Sequence, residues 1–152
     1  MTTVEERMLI EDTLYRYASS IDSANPDGLY DVLHPDLWAQ YGNNEPAQSA
    51  DTVIGWIREA TKNCVWQHHL LSVYHVDVEG DTARALVYHT SHQVFEDEPD
   101  TAKLLVGRYH NELRREPDGW RISRLVLEIL WGEDKTDATG YLALIGGRGP
   151  RA

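Results

Sequence analysis

Cysteine is almost missing from this chain of 152 residues: Cys64 is the single one. One thiol closes no intramolecular disulfide, and a zinc site built from cysteines is excluded. Cys64 stands between Asn63 and Val65 in no recognisable motif and reads as structural. Positive charge is also scarce, with 14 Lys and Arg against 25 Asp and Glu and a formal net charge of −11. That balance argues against nucleic acid and against an anionic membrane surface as partners, since both attract basic surfaces. Its plainest consequence is solubility. No stretch approaches the ~20 consecutive apolar residues of a membrane span. Residues 1–14 are charged and amphipathic and lack the apolar centre of a signal peptide, so a cytoplasmic location is expected.

Several motifs are missing too. There is no G-x-G-x-x-G, no P-loop and no G-x-S-x-G, so neither a nucleotide cradle nor a nucleophile elbow is expected. The seven histidines include no H-E-x-x-H pair. His89 and His92 lie three apart on an expected strand and so on opposite faces; the adjacent His68 and His69 also diverge. No metal and no cofactor are expected, and the acidic run 96–100 reads as a solvated loop.

What is present suits one folded domain. Apolar residues make up 41% of the chain, enough for a core. Val4, Met8, Leu9, Leu14, Tyr17, Ala18 and Ile21 recur at helical spacing and predict a helix over 4–22, ended by Asn25-Pro26-Asp27-Gly28. A short helix is expected over 27–33, a short strand over 36–41, a loop over 42–49, and a helix capped by Asp51 reaching about residue 62. The period then changes to two. Strands are expected from about residue 70 to 78, over 82–95, over 104–115 and over 120–131, with turns at Glu79-Gly80-Asp81 and Pro117-Asp118-Gly119. Helices first and an antiparallel meander after predict an α+β fold occupying residues 1–131. The Gly-rich residues 132–152 form either a loose tail or a flap.

Particular segments carry a resemblance. Leu14-Tyr15-Arg16-Tyr17-Ala18-Ser19-Ser20-Ile21-Asp22, Gln67-His68-His69-Leu70-Leu71, Gly80-Asp81-Thr82-Ala83, residues 107–113 and residues 118–123 resemble, in order and spacing, the SnoaL-like proteins of the nuclear-transport-factor-like superfamily. The likeness covers about residues 4–131. It implies a cone-shaped α+β barrel, with the N-terminal helices packed on a strongly curved antiparallel sheet around an apolar pocket. The family hosts dehydratases, isomerases, cyclases, a dehydrochlorinase and binding proteins, so the fold does not name the reaction.

Among these, the pocket residues are most similar to the scytalone and bile-acid dehydratases and hexachlorocyclohexane dehydrochlorinase. That likeness implies an acid–base pair of Asp22 and His69, with His69 rather than His68 turned inward. It also implies pocket tyrosines at Tyr17 and Tyr41 and a further polar residue on the second long strand, best matched by His92. His92 shares its strand face with Tyr88, and His89 shares the other face with Ser91; one of these faces looks inward. Where family members often carry Asp on the third long strand, this chain has Asn111. Tyr109 and Asn111 share a strand face and are expected to line the pocket. Leu125 is expected as core or pocket wall.

The chemistry fits that set. An imidazole near its ordinary pKa of about 6.5 both takes and gives protons at neutral pH. A carboxylate on its far nitrogen fixes the tautomer and supports the imidazolium. Asp22 reads equally as a solvated carboxylate at a helix end, and Tyr17 and Tyr41 equally as core tyrosines. The expectation is a cofactor-independent lyase of dehydratase type acting on a small cyclic or aromatic substrate. The alternatives are a cyclase or isomerase and a non-catalytic ligand-binding domain. Apolar groups on both faces of strands 82–95 and 104–115 predict a homodimer or homotrimer.

Overall fold

The computed structural model describes residues 1–145. Helix α1 spans Val4–Asp22, and a 3₁₀ turn follows over Pro26–Asp31. Next come β1 (Leu33–Tyr41), β2 (Ala47–Gln48) and α2 (Ala50–Thr61). Four long strands complete the domain: β3 (Cys64–Glu79), β4 (Thr82–Phe95), β5 (Thr101–Glu116) and β6 (Gly119–Thr136). A short helix α3 covers Tyr141–Leu144. No helix among the described residues is long and apolar enough to cross a membrane.

A capping box starts α1. The Thr3 hydroxyl accepts the Glu6 amide while the Glu6 carboxylate accepts the Thr3 amide. The buried stripe is Ile10, Leu14, Tyr17, Ala18 and Ile21. Val4, Met8 and Leu9, expected in that stripe, are exposed. Their side chains lie off the line that Ile10 shares with Leu14, Tyr17 and Ile21 at steps of three and four. The α2 cap also differs from expectation: Ser49, not Asp51, accepts the Thr52 amide. Asp51 sits in the first turn and accepts the Tyr30 hydroxyl at 2.8 Å.

The six strands form one open, strongly curved sheet in the order β2-β1-β6-β5-β4-β3. The expected antiparallel meander is present as β3 to β6, but the sheet is mixed. β1 runs parallel to β6 and pairs Ala39 with Leu125 and Tyr41 with Leu127. The 42–49 loop contributes β2, which pairs with Trp38 and Ala39. β6 continues past Trp131 to Thr136, pairing with the start of β5, so the meander does not end at residue 131. Of the expected tail or flap, residues 146–152 lie outside the described residues.

Register breaks lie at Val73/His75 in β3, and at Val106/Gly107 and Glu112/Leu113 between β5 and β6. Such irregularities add local twist and bend. Gly107 is needed at its break: a Cβ there would meet the Glu128 carbonyl oxygen at 2.5 Å. The concave face carries the core, with Leu37, Val87, Leu113, Ile122 and Leu125 almost fully buried beneath α1, the 3₁₀ turn and α2.

Candidate active site

Asp22 is the last residue of α1, and His69 lies early in β3 on the concave face. The two meet twice. Asp22 Oδ1 lies 2.6 Å from His69 Nδ1, and Asp22 Oδ2 accepts the His69 backbone N–H at 2.8 Å. The helix end is tied to the same strand by Gln67, whose Nε2 donates to the Ile21 carbonyl at 2.7 Å. Gln93 on β4 donates in turn to Gln67 Oε1 at 3.1 Å. With its carboxylate accepting at Nδ1, the imidazole carries its proton there and presents Nε2 as the basic nitrogen. The His69 side chain is 10% exposed and that of Asp22 25%, so the pair is shielded yet reachable from solvent.

His92 is not on this face. Its ring stacks on His68 at 6.0 Å, and His68 stacks on Trp66 at 5.9 Å, all on the convex side of the sheet. The histidine of β4 that faces His69 is His89, with ring centroids 5.3 Å apart. The cause is the register break at Tyr74. Carrying the Glu79–Thr82 hairpin register on without interruption would pair His69 with His92. Tyr74 is an extra residue, stacked on Tyr88 at 3.9 Å, so His68 pairs with His92 and His69 with Ser91. A shift of one residue exchanges the two faces of a strand.

His89 is 3% exposed, and among the described residues neither of its ring nitrogens has a hydrogen-bond partner. Burial lowers its pKa to about 4, helped by charge on His69 and opposed by Asp22. It is therefore a neutral imidazole at pH 7, with one donor and one acceptor uncommitted. Asn111 on β5 is 5% exposed and its Oδ1 is also without a hydrogen-bond partner among the described residues. Buried polar atoms without partners are uncommon and call for an explanation.

The three tyrosines gather beside them. The Tyr17 and Tyr41 hydroxyls lie 2.7 Å apart, and Tyr109 packs against Tyr17. The Tyr109 ring stands edge-on to Tyr17 at 5.9 Å and to His89 at 5.0 Å. Burial pushes Tyr41 up to about 12 and raises Tyr17 and Tyr109 well above the ordinary phenol value. All three stay protonated near neutral pH and act only as neutral donors or acceptors. Leu125, 1% exposed, pairs with Asn111 and Ala39 and closes the apolar wall. Thus Asp22, His69, Tyr17, Tyr41, Tyr109, Asn111 and Leu125 come together, and His92 does not. The polar residues that sequence reasoning missed are His89, Ser91, Gln67 and Gln93. His89 and Ser91 were legible as a face, but the choice of face was not. Among the described residues no three His, Cys, Asp or Glu side chains gather as a metal site.

A curved sheet closed by an N-terminal helix, with an Asp–His pair where the helix ends, defines the class. Residues 2–126 match the SnoaL-like domain, and the chain belongs to that family. It is similar to the uncharacterised protein Rv2910c of Mycobacterium tuberculosis, 30% identical over 124 residues that span 81% of this chain and 84% of the relative. Three solved structures share the fold. A Novosphingobium aromaticivorans protein provisionally described as an aromatic ring hydroxylase has a TM-score of 0.81 and 25% identity over 89% of this chain and 96% of its own. A scytalone dehydratase-like protein from the same species has a TM-score of 0.80 and 19% identity, covering 87% and 89%. The type 3 hexachlorocyclohexane dehydrochlorinase of Novosphingobium barchaimii has a TM-score of 0.77 and 12% identity, covering 88% and 92%.

Proposed function

We propose that this protein is a lyase that eliminates a small group, water first among the choices, from a small cyclic or aromatic substrate by general acid–base catalysis. The observation that carries the reading is the two-point grip of Asp22 on His69. A carboxylate that holds both the ring and the backbone of one histidine fixes the direction of Nε2 as well as its tautomer. His69 Nε2 takes a proton from substrate carbon. Asp22 supports the imidazolium that results. The electron pair left on carbon forms the new double bond as the bond to the leaving oxygen breaks. The proton held by His69 is then available to that oxygen, and water departs. The neutral His89 and Asn111 supply polar contacts on the facing strands, and Tyr17 and Tyr41 polarise a substrate oxygen without ionising. The scheme invokes no cofactor.

An isomerase is the second reading, favoured by the cluster of three protonated tyrosines, which suits an oxyanion formed and quenched in place. Release of a fragment separates the two. Hydroxylated cyclic and aromatic compounds incubated with the protein should yield a product lighter by one water, detected by mass spectrometry. A product of unchanged mass would replace the lyase with an isomerase, and no turnover across the panel would favour a binding domain.

A further inference from the structure

Three features work against the end of α1, where Asp22 sits. Ala24 lies just beyond it with a φ of 54°, in the left-handed region that favours glycine. That conformation closes a double cap: the Ala24 amide donates to the Ile21 carbonyl at 3.1 Å, and the Asn25 amide to the Ser20 carbonyl at 2.9 Å. Glycine is the usual residue at this place, and alanine takes it under strain. Asp22 also puts a carboxylate at the negative end of the helix dipole, where a cation is favoured. The last turn has no basic residue to offset it. Helix ends fray even without such loads, and Asp22 moves with this one.

A buried amide acts in the other direction. Gln67 on β3 is 8% exposed, and its Nε2 donates to the Ile21 carbonyl at 2.7 Å, closer than the Ala24 amide. Its own side-chain oxygen accepts from Gln93 Nε2 at 3.1 Å, from the paired position on β4. That contact settles which way round the Gln67 amide lies, with its NH2 toward the helix end. Gln67 and His69 are two apart on one strand and share a face. The strand therefore holds residue 21 by its carbonyl and residue 22 by its carboxylate.

We propose that Gln67 is a positioning residue for the Asp22–His69 pair: by capping the strained end of α1 it keeps the Asp22 carboxylate in place against His69. The proposal rests on the acid–base reading of that pair and is indifferent to which bond the reaction breaks. Gln67 acts through Asp22. The carbonyl it holds belongs to the residue before Asp22, so loss of this donor loosens the turn that carries the carboxylate. A displacement of about 1 Å in a catalytic arrangement costs up to roughly 10²-fold in rate. An amide suits the place because it is neutral. A lysine or arginine would also cap the carbonyl, but in this shielded setting its charge would draw the Asp22 carboxylate away from His69.

The test joins a spectroscopic readout to kinetics on the full chain. A proton held between an imidazole Nδ1 and a carboxylate resonates far downfield in the proton NMR spectrum, and here it is assigned by its loss in Asp22→Asn. Gln67→Met keeps the bulk of the side chain and lacks the donor. In that variant the signal should broaden through exchange with water, and kcat should fall about tenfold to a hundredfold with KM within about threefold. Ala24→Gly relieves the left-handed strain at the helix end. Alone it should leave signal and kcat unaltered. Added to Gln67→Met it should restore the signal and return kcat to within about threefold of the unaltered protein. A role in packing alone would not be repaired from position 24. If Gln67→Met loses its circular dichroism spectrum, Gln93→Leu, which leaves the Gln67 amide free to turn, takes its place with the same expected losses and the same repair. An unaltered signal, or a loss that Ala24→Gly does not repair, would overturn the inference. Loss of the signal with normal kcat would support the placement and overturn the acid–base reading of the pair.

Discussion

The carboxylate of Asp22 accepts both the ring Nδ1 of His69, at 2.6 Å, and the backbone N–H of the same residue, at 2.8 Å. One contact alone would hold the imidazole by a hinge. Two contacts fix the strand to the helix end and the ring to the strand, and the His89 ring on the neighbouring β4 lies 5.3 Å from that of His69. What lies there decides which further residues act.

His89 is expected to matter and His92 is not. His89→Ala should lower turnover by about tenfold to a thousandfold, within the usual worth of a positioned polar or acid–base group. His92→Ala should leave turnover within about twofold of the unaltered protein, since its ring stacks on His68 on the convex face. Steady-state kinetics on one confirmed substrate checks both. The opposite ranking would mean that the strand register described above is wrong.

Stability should depend on pH through His89. Its pKa is about 4 in the folded protein against about 6.5 when unfolded. The unfolded chain therefore binds more protons between those values, and stability falls as pH falls from 6.5 toward 4. The contribution is fully present above pH 6.5 and amounts to roughly 3 kcal/mol over the window. Urea unfolding at pH 7 and pH 4.5 should show a smaller pH-dependent loss for His89→Gln than for the unaltered chain. Equal losses in the two proteins would contradict the burial argument.

Tyr41→Phe should destabilise the fold by about 1–2 kcal/mol, because it removes the Tyr41 hydroxyl that the buried Tyr17 hydroxyl bonds. Its effect on turnover should be smaller than that of His69→Ala, since only a neutral polariser is lost. Chemical denaturation and kinetics on the same preparation separate the two effects. A turnover loss as large as that of His69→Ala would move the proton chemistry onto the tyrosines.

The parts of the fold set by local pattern were legible in the sequence. The 4–22 helix and the two hairpin turns follow from periodicity and turn residues that lie close together along the chain. The parallel pairing of β1 with β6 joins residues some ninety positions apart and leaves no local mark. Asp22 and His69 were found through a family likeness, since neither a helix-end Asp nor a pair of adjacent histidines marks itself. The family likeness points to His92, and nothing in the alternation of β4 says which of its two faces, that of His92 or that of His89, looks inward; one extra residue in β3 sets the pairing that places His89 beside His69. Tyr74 is an ordinary strand tyrosine in sequence, and no local pattern marks it as the residue where the register slips. The Ser49 cap was lost for a similar reason: Ser49 and Asp51 are both good caps, and Ser49 takes the role with a φ of 76°.

The central claim is that Asp22 and His69 act as one unit, and a double-mutant cycle on turnover tests it most directly. His69→Ala should cut kcat by about 10²- to 10⁴-fold. Asp22→Asn should cost a comparable factor by removing the charge that supports the imidazolium. The double variant should be little worse than either single one, because groups that work together are strongly non-additive. Losses that multiply in the double variant, or near-normal kcat in His69→Ala, would contradict the account.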